Sequence, residues 1–137
     1  MTLGRIMGLD YGTRRIGVAM SDALHLTARP FAVLEANSDR LRSEVRSLAE
    51  EHEVELIVVG LPVNLSGGDT QSTTGARQLA SLVADATGLP VKLFDERYTT
   101  KTAEQTLIGA NVRRKDRKQV IDKVAAAVML QHYLDGL

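Results

Sequence analysis

Residues 3–21, LGRIMGLDYGTRRIGVAMS, set out an antiparallel hairpin. Residues 3–9 and 15–21 are largely apolar runs of the length and residue type that suit a pleated surface, so each reads as a strand. Tyr11-Gly12-Thr13-Arg14 joins them as a tight turn, with Gly12 supplying backbone freedom at the bend. Asp10 then stands at the end of the first strand. Residues 26–35 (LTARPFAVLE) read as a third strand, and Pro30, which has no amide hydrogen to donate, favours an edge position.

Beyond the hairpin the pattern changes. Asn37-Ser38-Asp39 reads as a helix start, followed by Leu41, Val45, Leu48 and Ala49 at helical spacing with charges between them. Residues 55–60 (ELIVVG) form a short continuous apolar run, which suits a strand buried on both faces. Leu61 to Asp69 is a loop with Pro62 and the Gly67-Gly68 pair. The spacing predicts a helix over 70–87, stopped by Gly88 and Pro90. Residues 90–95 (PVKLFD) read as another inner strand. A helix capped by Thr99 or Thr100 is predicted to run to Ile108. After the polar stretch 109–115, a last helix is predicted over 118–134. The order β-β-β-α-β-α-β-α-α implies the α/β class, with a mixed sheet carrying helices on its faces.

At 137 residues, the chain is the size of one ordinary domain, taken as 1–137. No apolar stretch approaches the roughly 20 residues that cross a bilayer. Met1-Thr-Leu-Gly-Arg5 lacks the features of a signal peptide, so a cytoplasmic location is expected. There are no cysteines, which excludes disulfides, thiolate zinc sites and cysteine nucleophiles. Seventeen basic and seventeen acidic residues balance, so any polyanion site must arise from local segregation of charge. Three tyrosines, two phenylalanines and no tryptophan make poor material for stacking bases. Nucleic acid would be gripped through backbone and shape.

Three carboxylates fall where elements end: Asp10 after the first strand, Glu96 after the last strand beside Asp95, and Asp122 early in the final helix. Ligand sites in open α/β sheets form outside the carboxyl ends of the strands. Asp10 and Glu96 share that edge if their strands are parallel, and Asp122 joins them if its helix packs across it. The alanines of Val124-Ala-Ala-Ala-Val-Met-Leu130 would let that helix approach closely. Clustered acids repel and raise one another's pKa unless a cation joins them. Mg²⁺ or Mn²⁺ takes such oxygen ligands and leaves room for water and phosphate. Two such ions, roughly 4 Å apart, can activate a water and stabilise a leaving oxygen. Each acid also has a plainer reading: a polar turn at Asp10, a solvated strand end at Glu96, a helix-dipole partner at Asp122.

Four segments carry a family resemblance: Gly8-Leu-Asp-Tyr-Gly-Thr-Arg-Arg-Ile-Gly-Val-Ala19, Ile57-Val-Val-Gly-Leu-Pro-Val-Asn64, Asp95-Glu-Arg-Tyr-Thr-Thr100 and Asp122-Lys-Val-Ala-Ala-Ala127. In this order, and over nearly the whole chain, they resemble the YqgF (RuvX-like) family. That family is associated with Holliday-junction resolution and with processing the 5′ end of precursor 16S ribosomal RNA. The resemblance implies an RNase H-like fold, a five-stranded sheet of order 3-2-1-4-5, and a metal-dependent nuclease. It implies Asp10, Glu96 and Asp122 as the catalytic, metal-binding acids. One departure from the wider RNase H-like pattern is that Val58-Val-Gly-Leu-Pro62, the fourth strand and its end, holds no acid. Gly60 there would let Glu96 reach across.

Arg113-Arg-Lys-Asp-Arg-Lys118 places five cations in six positions, just before the predicted last helix. It reads either as a solvated loop or as a grip on nucleic-acid backbone. Arg113, Arg114 and Lys118, with Arg14, Arg97 and Lys123, are the candidate nucleic-acid-binding residues. Arg15 and Lys101 extend the same surface. Expected partners are precursor ribosomal RNA or branched DNA, and ribosomal particles; monomer and homodimer both fit. Two other functions compete. Leu9-Asp-Tyr-Gly-Thr13 is similar to the first phosphate loop of actin-like ATPases and sugar kinases, but those pair two lobes and this chain has room for one. A non-catalytic RNA-binding module would have no need of the intact acid set.

Overall fold

Five strands and three helices account for the described residues, which are 4–61, 71–95 and 114–137 of the computed structural model. The strands are β1 (Arg5–Tyr11), β2 (Arg15–Ser21), β3 (Ala28–Glu35), β4 (Val54–Leu61) and β5 (Val91–Asp95). The helices are α1 (Leu41–Glu51), α2 (Gln71–Thr87) and α3 (Arg114–Asp135). The sheet order is β3-β2-β1-β4-β5, the order that the resemblance implies. β1, β2 and β3 pair antiparallel, whereas β4 runs parallel to both β1 and β5. The carboxyl ends of β1, β4 and β5 therefore lie on one edge of the sheet.

Alternation along the strands sorts side chains between two layers. Met7, Leu9, Ile16, Val18, Ile57 and Val59 pack with residues of α1 and α2, including Val45 and Val83. Ile6, Ala19 and Val58 pack on the opposite face with Ala126, Met129, Leu130 and Leu134 of α3. Two glycines bring α3 unusually close. A Cβ on Gly8 would lie 3.0 Å from Leu130 Cβ, and one on Gly17 would lie 1.8 Å from the Asp122 carbonyl oxygen. Gln131 fastens the helix at the far end of the sheet, accepting from Ala28 N at 2.9 Å and donating to Leu26 O at 3.0 Å. In the β2–β3 connection, Asp22 accepts from Leu26 N and Thr27 N. The Leu26 bond above all holds its carboxyl below the usual range.

Most elements fall where the periodicity places them. β3 is an edge strand carrying Pro30, and Phe31 is the extra residue of a bulge opposite Val18 and Ala19. Gly88, with φ +71°, ends α2. Four expectations need correcting. β1 extends through Tyr11, so Asp10 is inside the ladder rather than at its end. Spacing read β5 as an inner strand, but it is the opposite edge, as the implied order has it: among the described residues it pairs only with β4, and Lys92 and Leu93 are exposed. An apolar run alone does not separate a strand flanked on both sides from an edge strand half covered by a helix. α1 starts at Leu41 with Arg40 as its cap, and Ser38 Oγ accepts from Arg40 N instead of capping the helix. Lastly, α3 begins at Arg114 rather than 118. Arginine and lysine are good helix formers, and neither Gly nor Pro interrupts 114–135. The helix predicted from Thr99 or Thr100 to Ile108 lies outside the described residues, as does most of the 61–69 loop.

Candidate active site

The row of residues that runs across the sheet through Asp10 is defined by register. Asp10 pairs with Gly17 of β2 on one side and with Gly60 of β4 on the other. Gly17 pairs onward with Val33 and Gly60 with Phe94. Paired residues share a face, so Asp10 lies on the α3 face between two residues without side chains. It is half-buried, and the flanking glycines leave its carboxylate uncrowded by sheet neighbours.

The close approach at Gly17 completes the arrangement. Because the Asp122 main chain lies directly over Gly17, the helix delivers Asp122 beside the ladder partner of Asp10. Two acids separated by more than a hundred residues in sequence are thereby brought to one face at one edge. Ala125, Ala126 and Ala127 follow as buried residues of the same helix, which is the close contact their small size suggested. The helix-dipole reading of Asp122 loses its basis, because α3 starts at Arg114 and Asp122 sits more than two turns inside.

Arg15, which the sequence placed on the basic surface but not beside an acid, is the neighbour of Asp122. Its Nε donates to Asp122 Oδ2 at 2.6 Å, with the two side chains 33% and 28% exposed. Arg15 lies two residues from Gly17 on the same face of β2, so strand alternation explains the contact. No spacing rule links positions 15 and 122; only the packing of α3 on β2 does. Among the described residues, no group of three or more His, Asp or Glu side chains is gathered to hold a metal ion.

Arg14 and Lys123 line one depression, of about 630 Å³ and next to Asp122, together with Arg15, Val33, Leu34, Glu35 and Asn37. Arg114 and Lys118 belong to α3, not to a loop preceding it. Helical geometry places Lys118 about one turn, and Arg114 about two turns, before Asp122. Glu96, Arg97, Lys101 and Arg113 lie outside the described residues.

A mixed sheet of this order, with a helix crossing one face, is the RNase H-like fold. The model of one family, RuvX, described as Holliday junction resolvase, matches residues 4–136. The chain belongs to that family. A relative from Listeria monocytogenes serotype 4b is 46% identical over 134 residues, covering 96% of this chain and 97% of its own. One from Geobacillus sp. is 44% identical over 135 residues, covering 96% and 98%. Both are named as candidate pre-16S rRNA nucleases. Among solved structures, Thermus thermophilus RuvC in complex with a Holliday junction substrate superposes with a TM-score of 0.60. It is 17% identical, over 97% of this chain and 94% of that one, and shows the shared fold. Family membership settles the choice against an ATP-handling lobe.

Proposed function

We propose that this chain is a divalent-metal-dependent endonuclease that processes the 5′ end of precursor 16S ribosomal RNA in the cytoplasm, working as one domain. The observation that carries the catalytic assignment is the seating of the Asp122 main chain on Gly17, the ladder partner of Asp10. The choice of ribosomal RNA rests on relatives so named at 44–46% identity over nearly the whole chain. Four-way DNA is the second reading, favoured by the family's description as a Holliday junction resolvase. Among the described residues no helix is long and apolar enough to cross a membrane.

The donor set fits a hard cation. Asp10 and Asp122 offer carboxylate oxygens on one face, Gly17 and Gly60 place no side chain beside Asp10, and Glu96 follows β5 directly in sequence. Mg²⁺ or Mn²⁺ bound by these acids would lower the pKa of an attacking water and neutralise charge on the departing oxygen. Asp10, held by a central strand, fixes one ligand position; Asp122, held by the helix, fixes a second. Arg15 orients Asp122 and balances its charge. Cleaving precursor ribosomal RNA and four-way DNA side by side, with and without Mg²⁺, tests the reading. Metal-dependent cleavage of the RNA is expected, and failure to cut either substrate would overturn it.

Because Arg15 competes with a cation for Asp122, Arg15→Gln is expected to raise Mn²⁺ affinity, by up to about fivefold for a partly exposed pair. Titration followed by electron paramagnetic resonance, without nucleic acid, measures this. Weaker Mn²⁺ binding would instead make Arg15 a residue that presents Asp122 to the metal. The cations at Arg113, Arg114 and Lys118 are assigned to affinity rather than chemistry. Replacing all three with alanine is expected to flatten the dependence of log affinity on log salt, by about 0.7 for each phosphate no longer neutralised on single strands. An unchanged slope would show them to be solvated.

A further inference from the structure

The depression beside Asp122 is not needed to assemble the acids. Its walls come from three separate parts of the chain: Arg14 and Arg15 at the start of β2, Glu35 at the end of β3 with Asn37 beyond it, and Lys123 of α3. Among the described residues three cations and one carboxylate line it, Arg15 being paired with Asp122 at its margin, in a protein whose total charge is zero. That is a local segregation of positive charge, and it is concave.

Register places this basin relative to the acids. Arg15 pairs with Glu35 two residues along β2 from Gly17, towards the edge at which β1, β4 and β5 end. Lys123 is the residue next to Asp122, and Arg15 holds Asp122 itself. The rim is braced by one backbone and one side-chain hydrogen bond: Ala36 N donates to Arg14 O at 2.9 Å, and Asn37 Nδ2 donates to Thr13 O at 3.4 Å. The basin therefore stays aligned with the hairpin that carries Asp10.

We propose that this basin is a second phosphate site, holding a phosphodiester of the substrate strand next to the one being cut, with Arg14 and Lys123 as its principal contacts. The proposal rests on the nuclease reading given above. Arg and Lys donate charge-assisted hydrogen bonds to phosphate oxygens and tolerate any base sequence. Glu35 opposes them and weakens the site. Arg15 is shared between the site and Asp122, so a cation that displaces it from Asp122 leaves its charge to the phosphate. Metal at the acids and backbone in the basin then favour one another. The substrate is positioned by two successive phosphates rather than by base edges, in keeping with a surface poor in aromatic residues.

The test is fluorescence anisotropy of a labelled short single-stranded RNA, and of the DNA of the same sequence, in EDTA over a salt series. The full-length chain is compared with Arg14→Ala/Lys123→Ala, with Glu35→Gln, and with Arg42→Ala, whose partner Asp85 lies on the other layer. The double variant is expected to lose about tenfold in affinity. Its salt slope should fall by about 0.7 for each phosphate that it no longer neutralises. Glu35→Gln should bind more tightly than the unmodified chain, an effect that loss of structure cannot produce. Similar losses on RNA and DNA indicate recognition of the phosphodiester, whereas a loss on RNA alone would overturn a site built for phosphate. Affinity and slope of the double variant equal to those of Arg42→Ala would also overturn it. Metal-dependent cleavage by the unmodified chain is measured separately. Cleavage with unchanged binding removes only the basin, whereas absence of cleavage removes the nuclease reading.

Discussion

Asp10→Asn is expected to fold normally and to lose about 10²–10³-fold or more in single-turnover cleavage at saturating Mg²⁺, the scale of effect when a preorganised electrostatic group is removed from an active site. The side chains are nearly isosteric, and the backbone groups of Asp10 stay in the ladder with Gly17 and Gly60. What changes is the anionic oxygen available to a hard cation. Glu96→Gln and Asp122→Asn are expected to act in the same direction. Asp122→Asn also removes the ionic partner of Arg15. Thermal melts matching the parent, together with abolished cleavage, support the assignment. Near-parental turnover by Asp10→Asn would remove it from the site.

The framework of the fold was legible because it follows from short-range rules. The hairpin from residue 5 to 21, the apolar run of β4 and the Gly88 stop of α2 are each written in a few neighbouring residues. The sheet order was not readable from spacing; it came from four segments that resemble a family. The start of α3 was missed because a cationic run looks like a solvated loop, although its residues are good helix formers. Spacing read β5 as an inner strand, because hydrophobicity does not report how many strands flank a run; its edge position came only with the order that the resemblance implies. Asp10 and Asp122 drew notice as acids near the ends of elements, although Asp10 lies within the β1 ladder and Asp122 more than two turns inside α3. The ion pair of Arg15 with Asp122 did not draw notice, because it spans 107 positions and arises from packing alone. Gly17 read only as part of the strand Arg15–Ser21, yet its missing side chain is what admits the helix.

Gly17→Ala is accordingly expected to be among the most damaging small substitutions in the chain. An added Cβ would sit 1.8 Å from the Asp122 carbonyl oxygen and 2.5 Å from its carbonyl carbon. Both atoms are backbone, so no rotamer change relieves the overlap; either α3 or β2 must move, by roughly 1–2 Å to restore ordinary contact distances. β2 is held between β1 and β3, so the helix yields more readily. Its displacement lifts Asp122 from the acid site and loosens Met129 and Leu130, which are fully buried beneath it. Overpacking of this kind costs about 1–3 kcal/mol, and a 1 Å misplacement of catalytic groups can cost about a hundredfold in rate. Gly8→Ala makes the instructive comparison. Its Cβ would meet Leu130 side-chain atoms at 3.0–3.4 Å, and a side chain can give by a few tenths of an ångström. Gly8→Ala should therefore lower the melting temperature modestly and keep most cleavage, whereas Gly17→Ala should lose about a hundredfold in single-turnover rate. Equal behaviour of the two variants, or a Gly17→Ala protein with parental stability and rate, would mean that α3 does not bear on the sheet at Gly17. The placement of Asp122 beside Asp10 would then lose its support.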